Sequence, residues 1–441
     1  MRKRRAAIAS TLLLAVMASG CSGGAPADSG SKPAGDKAGG QTGAKFKNDP
    51  VDITFYLTSN NIAEDKFMET YGNKIKEKLP HINVKYIMQK DSKTLPELLT
   101  AGQSFDIMIS SVGLTQNFLT TYDLQYDISD LIKKYNYDLG KLEPSTIEIQ
   151  KGFANGGIYG MPVSTTSGAL FYNKDLFDKF GVPYPKDGMT WDELYELARK
   201  MTRNEGGVQY KGLTMSFQHL LLLDQNSVNP LDPKTFKTNI TSEEFKKSFE
   251  NLARFFKIPG NEVPGTKYAL ATQTDPFLKN MTSAMYASLS GTRPEGMNWD
   301  IAQLPFLKEK PGVGPQSYPT YFYITQTSKN KDAAFQVLDY ITSEEFQRFI
   351  VRAGTANTIL RDGSKLAADL GVDDPKLKGK NIKSLFPQTY ASPTIKTKYQ
   401  SFVETELFTA LMEYQKGTDA NTALRSAAER ADNKIQAEMK K

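Results

Sequence analysis

The sequence predicts an α/β protein whose globular part divides into more than one domain. Three observations carry this. From Val51 to Ser111, strand-like and helix-like runs alternate, the pattern of an open, mainly parallel sheet with helices on both faces. From about Phe46 onward the chain offers roughly 395 residues, more than one hydrophobic core usually supports. The capping pattern S/T-x-x-E recurs at Thr190/Glu193, Thr241/Glu244 and Thr342/Glu345, each time opening an apolar-periodic run.

The chain starts with MRKRR, followed by an apolar run from Ala6 to Ala18. A basic start, a short apolar core and small residues make a secretory signal, and the run falls short of the roughly 20 residues a membrane span needs. Ser19, Gly20 and Cys21 close it, and Cys21 is the only cysteine in the chain. A lipobox is expected: residues 1–20 are removed and the Cys21 thiol then carries lipid. Ala18 stands where that motif ordinarily has Leu or Val, and the plainer alternative is an ordinary signal with a chance cysteine. Ser22 to Ala44 is Gly, Ala, Ser and Pro with scattered charge, too poor in apolar side chains to offset its ordering entropy. Residues 21–45 are therefore expected to form a tether, a Gly-rich coil of about 24 residues holding the domain roughly 25–30 Å from the bilayer.

The formal charge of +6, less the four basic residues of MRKRR, leaves +2 on the mature chain, which gives no footprint for nucleic acid. Runs such as Lys74 to Lys78 are solvated helix faces. With Cys21 spent, no disulfide is available. Of the two histidines, His81 lies in LPHINV, a turn entering a strand, and His219 is the other. There is no HExxH or GxxxxGK[ST] motif, and the single GxSxG match, Gly20 to Gly24, is the Cys21 segment itself rather than a strand-to-helix turn, so zinc, hydrolase-elbow and P-loop chemistries lack support. No metal or other cofactor is expected. The 49 acidic residues allow many carboxylate pairs for glycoside cleavage, and no spacing singles one out.

In order along the chain, Val51 to Leu57 is a strand stopping at TSNN. A helix from about Ile62 to Leu79 follows, with Phe67, Tyr71, Ile75 and Leu79 on one face. Ile82 to Met88 is a second strand, TLPELLTAG a short helix closed by Gly102, and Phe105 to Ser111 a third strand. Ligands of such sheets sit at the carboxyl ends of the strands. Here those ends are Thr58, Ser59, Asn60 and Asn61, then Ser110 and Ser111. Each also has a plain reading as a helix cap. From Asn155 the glycines and Met161-Pro162 interrupt the sheet pattern, and ALFY resumes it. The helix opened by Thr190 has Trp191, Leu194, Leu197, Ala198 and Met201 as its apolar face. Ser283 to Gly291, Ile301 to Phe306 and Tyr321 to Thr325 read as strands. Lys331 to Ile350, Ser401 to Tyr414 and Ala420 to Met439 read as helices. No internal repeat is visible.

Several of these stretches resemble the family 1 extracellular solute-binding proteins, the sugar receptors of ABC importers. IYGMPVSTTSGALFYNKDLFDKFGV followed by MTWDELYELARKM resembles their crossover region, SAMYASLSG and WDIAQLP two of their strands, and YITQTSKNKDAAFQVLDYITSEEFQ their return to the first lobe. GTDANTALRSAAERADNKI resembles their closing helix, and the likeness runs from about Asp52 to the C-terminus. The resemblance implies two α/β lobes, each a mainly parallel sheet flanked by helices, joined by a multi-strand hinge. Lobe one would be 46–161 plus 318–358, and lobe two 162–317 plus 359–441. It implies a ligand held by Asn60, Asn61, Ser110, Ser111, Thr165, Thr166, Gln218, Ser290, Thr292, Arg293 and Tyr321. Where many relatives read G-P-W after the "A-A-M" strand, this chain has SGTR, so stacking would fall to other rings. Tyr172, Phe217, Tyr321 and Tyr399 are the candidates, each with an alternative place in the core.

A sugar presents hydroxyls and apolar C–H faces, which neutral amides, hydroxyls and aromatic rings match. The implied protein captures a carbohydrate, delivers it to the importer's permease subunits without catalysis, and works as a monomer anchored by lipid on Cys21 at the extracellular face of the cell membrane. Arg293 leaves room for an acidic sugar. The rival readings are a receptor for a uronide, peptide or chelate, and a tethered glycosidase, which needs two carboxylates roughly 5–9.5 Å apart across the cleft.

Overall fold

A computed structural model describes residues 43–59, 62–354, 356–386 and 389–440. The expected leader, Cys21, most of the tether, Asn60 and Asn61 lie outside the described residues. Near the start of the described residues Ala44 N donates to Lys134 O at 2.8 Å and Phe46 stacks on Tyr135 at 4.1 Å.

The strands, in chain order, are β1 (Val51–Leu57), β2 (Ile82–Met88), β3 (Ile107–Ser111), β4 (Gly160–Thr166), β5 (Gly168–Asn173), β6 (Arg203–Glu205), β7 (Val208–Met215), β8 (Ser283–Leu289), β9 (Trp299–Gln303), β10 (Val313–Gln316), β11 (Tyr318–Ile324) and β12 (Thr389–Ala391). They form two five-stranded sheets, β2-β1-β3-β11-β4 and β6-β7-β8-β5-β9, and a β10-β12 ribbon. In the first sheet β1 runs parallel to β2 and β3, while β11 runs antiparallel to both its neighbours. In the second only β7 and β8 are parallel. The α/β architecture is as expected, with strand directions more mixed than the opening β-α-β pattern implied.

Both sheets are covered on both faces, so their strands read as near-continuous apolar runs. Alternate residues still part company. In the first sheet Phe55, Ile107, Ile109, Phe322 and Ile324 join one cluster, and Tyr56, Met108, Tyr321 and Tyr323 the other. In the second, Leu170 and Tyr172 face the large helical cluster while Ala169 and Phe171 face a smaller one. The helices Gln400–Gln415 and Ala420–Met439 complete that large cluster through Val403, Leu407, Leu411, Leu424 and Ile435.

Three local expectations are corrected. Met161-Pro162 does not interrupt the first sheet: β4 runs through it to Thr166, past the expected boundary at 161/162. Proline is tolerated because β4 is an edge strand, where a missing N–H removes no central ladder bond. The crossover to the second sheet falls at Ser167. The expected helix over Lys331 to Ile350 is two, Lys331–Ile341 and Glu344–Arg352. Finally, only Thr190/Glu193 forms a full capping box. The other two helices are capped one residue later, by Ser242 accepting from Phe245 N and Ser343 from Phe346 N. The Thr342 hydroxyl is instead turned toward the preceding helix, donating to Leu338 O at 2.8 Å and accepting from the Tyr137 hydroxyl at 2.5 Å. Ser242→Ala is expected to lower stability by about 1 kcal/mol and Thr241→Ala by less than about 0.5 kcal/mol in urea unfolding; equal losses would return the cap to Thr241.

Candidate functional site

The carboxyl ends of the first sheet's parallel strands are closed by hydroxyls. Thr58 Oγ1 donates to Ser110 Oγ at 3.0 Å, and Ser111 Oγ lies 3.3 Å from the hydroxyl of Tyr318, the first residue of β11. Gly113 lets the tyrosine approach: a Cβ on it would lie 2.4 Å from the Tyr318 hydroxyl, which would have to shift. Thr166, at the end of β4, donates to the Tyr318 carbonyl at 3.3 Å. Ser111, Thr166 and Tyr318 are all half-buried, so this wall still meets solvent.

The second sheet reaches the same tyrosine. Strand β7 ends at Met215, and the helix Phe217–Leu222 follows at once. On it His219 meets the Tyr318 ring edge-on, with centroids 5.5 Å apart. Ser216 Oγ and His219 Nδ1 are hydrogen-bonded at 2.7 Å. Burial pulls the His219 pKa down to about 4, and the Lys396 charge adds to the effect, so the ring is neutral at neutral pH.

A third segment joins them. Gln316, just before Tyr318, receives hydrogen bonds on Oε1 from Thr394 N and Oγ1 at 2.8 and 2.9 Å. Its own N donates to Leu223 O, at the end of the His219 helix, at 2.9 Å. Ile395 N donates to Asn229 Oδ1 at 2.9 Å. These staples bring Lys396, Gln400 and Glu404 against the hinge. Lys396 is only 6% exposed, and its Nζ has no hydrogen-bond partner; Gln400 Oε1 is likewise buried and unpaired. Burial pushes the Lys396 pKa down and that of Glu404 up, each opposed by the charge of the other.

The predicted residues divide. Ser111 and Thr166 converge on Tyr318, while Ser110 is buried and accepts from Thr58. Thr165 is buried and pairs by backbone with Asn357. Ser290 Oγ accepts from Ser167 N at 3.1 Å, holding the crossover. Thr292 donates to Leu289 O. Arg293 is committed: it donates to the carbonyls of Ser290, Thr292 and Gly354 and pairs with Asp374 at 3.5 Å. Gln218 faces Tyr268, accepting from its hydroxyl at 2.8 Å, while its neighbour His219 faces Tyr318. Tyr321 is a correction: it is fully buried among the first sheet's aromatics and donates to Thr146 O at 2.6 Å. Tyr172, Phe217 and Tyr399 likewise belong to the large core cluster. Tyr318, His219, Lys396 and Glu404 escaped sequence reasoning. His219 had a usable signal, since it follows a strand's carboxyl end as Ser110 and Ser111 do.

The glycerol-phosphate-binding periplasmic protein UgpB of Agrobacterium fabrum is 25% identical over 309 residues, covering 60% of this chain and 66% of that protein. The chain thus spans less than two thirds of the length of the curated relatives it matches. An ABC substrate-binding protein from Listeria monocytogenes, solved in complex with cycloalternan, superposes with a TM-score of 0.68 at 18% identity over 88% of this chain and 100% of its own. The sugar-binding protein MalE from Xanthomonas citri gives 0.67 at 18% identity, over 88% of this chain and 98% of its own. Both share the two-lobed fold. The family model of the bacterial extracellular solute-binding proteins matches residues 56–348, more than half of the chain, and the chain belongs to that family.

Proposed function

We propose that this protein is a lipid-anchored extracellular receptor that captures a carbohydrate between two lobes and passes it unchanged to an ABC importer. Lobe one is 46–166 plus 318–358, and lobe two 168–317 plus 359–441. The observation that carries the reading is the meeting at Tyr318 of hydroxyl-bearing strand ends from one sheet with the His219 helix of the other. Neutral donors and acceptors on rigid strand ends suit a polyhydroxylated ligand, and a hinge next to them lets closure bury it. The relatives' names point the same way, to cycloalternan for the Listeria protein and sn-glycerol 3-phosphate for the Agrobacterium one.

The test is thermal-shift screening against oligosaccharides and polyols, then calorimetric titration of Asn60→Ala, Ser111→Ala and Thr166→Ala. Each loses a hydrogen-bonding group that closure desolvates, so affinity should fall about 5- to 150-fold, or about 1–3 kcal/mol. If all three stay within about threefold of wild type while unliganded stability falls, the site lies elsewhere. The protein is expected to run as a monomer and to return any bound sugar intact. Cys21→Ser should release it from the membrane with its solution affinity unchanged; retention of that variant would refute the anchor.

A further inference from the structure

We infer that Lys396 and Gln400 are ligand-contacting residues forming a donor–acceptor pair for neighbouring sugar oxygens, and that the site selects an uncharged carbohydrate over a sugar acid or phosphate. This rests on the receptor reading above and deepens it.

Two buried polar atoms beside the hinge have no partner. Lys396 Nζ is a buried donor without a partner, and Gln400 Oε1 a buried acceptor without one. Both sit at the entry to the helix Gln400–Gln415, held against the hinge by the Thr394–Gln316 and Ile395–Asn229 hydrogen bonds. A desolvated ammonium without a hydrogen bond is costly, and such groups in native proteins call for a partner from outside. A vicinal diol supplies what is missing: one oxygen accepts from the ammonium while the next hydroxyl donates to the amide oxygen.

Charge balance then selects the ligand. Arg293, the cation that left room for an acidic sugar, is neutralised by Asp374 and occupied by three backbone carbonyls. Lys396 has Glu404 close enough for their charges to act on each other. Glu404 is itself hydrogen-bonded by Gln400. His219 is neutral, and Tyr318 beside it, with Ser111 and Thr166, carries no charge. The cluster therefore sums to zero. An oxyanion entering it would meet Glu404 as well as Lys396, in a desolvated site where like charges repel strongly.

Three forms of the protein test this: wild type, Lys396→Met and Glu404→Gln. Each is titrated with maltotriose, mannotriose, trigalacturonate and sn-glycerol 3-phosphate, and each is melted without ligand. Wild type should prefer a neutral trisaccharide at least about 10-fold over both anions. Lys396→Met should lose about 10- to 150-fold in affinity for that sugar, the range for a hydrogen bond to a charged group, with an unliganded melting temperature equal to or above wild type. Glu404→Gln leaves the ammonium unbalanced and should move preference about 10-fold toward the anions. A tighter wild-type complex with either anion overturns the inference and leaves the receptor reading intact. A Lys396→Met protein that melts lower and binds as well shows the lysine to be structural, which also overturns it. Binding of neither class by any form sinks the receptor reading and this inference together.

Discussion

Gly212→Ala is expected to destabilise the protein by about 3 kcal/mol, at the upper end of what overpacking costs. Gly212 lies in β7, where the helix Trp191–Met201 packs flush on the strand. A Cβ there would sit 1.9 Å from Ala198 O, 2.6 Å from Ala198 C and 2.7 Å from Thr202 Oγ1. Two of those atoms are backbone, so no rotamer change relieves the clash. The approach is also fixed by hydrogen bonds: Gly212 N donates to Thr202 Oγ1 at 2.9 Å, and that hydroxyl donates to Ala198 O at 2.8 Å. Moving the helix away opens the cluster that holds Trp191, Leu194, Ala198 and Met201. Alanine would otherwise gain about 0.4–1 kcal/mol by restricting the unfolded chain, so the clash decides the sign. Urea unfolding reads the loss directly, and a change below about 1 kcal/mol would show that the helix slides at little cost. Because β7 leads into the His219 helix, ligand affinity should fall in the same variant.

Much of this architecture is written locally. Phe67, Tyr71, Ile75 and Leu79 mark one helix face by spacing, and all four are buried. The strands β1, β2 and β3 are legible because each is a short apolar run bounded by polar turns. Pro162 misleads for a physical reason, since a breaker in a central strand is harmless on an edge. Strand direction in the second sheet is not local at all: Phe171 pairs with Tyr286 and Ile301, and nothing near any of them records it. The same limit governs the site. Ser110 and Ser111 follow from the strand-end rule and Thr166 from the family resemblance, but Ser111 meets a tyrosine 207 positions away, and Lys396 arrives through a glutamine side chain. Aromatic platforms fail because composition does not say which face a ring takes. In β11, Tyr321 and Tyr323 point to one covered face and Phe322 to the other.

The His219 contribution to stability should be lost on acidification, by up to about 3 kcal/mol between neutral pH and about pH 4. The ring's pKa is about 4 in the fold against an ordinary 6.5. Below 6.5 the unfolded chain takes up a proton that the folded state refuses until about 4. The unfolded state therefore binds more protons across that window, and stability rises with pH through it. The stabilising effect of the neutral ring is complete above 6.5 and gone by about 4; each pKa unit corresponds to about 1.4 kcal/mol. Asp224 works against this. Burial raises its pKa to about 6 from 3.8, so its folded form keeps a proton the unfolded form has released, and that contribution is lost as pH rises through 6. These two contributions nearly cancel in the wild-type profile. The difference between wild type and His219→Gln removes the Asp224 part, because that residue is common to both. Urea unfolding at pH 7.5 and pH 4 should show the wild-type advantage over the variant shrinking by about 3 kcal/mol at the lower pH. A constant difference would mean that His219 titrates in the fold as it does in water, and would remove the neutral imidazole from the wall facing Tyr318.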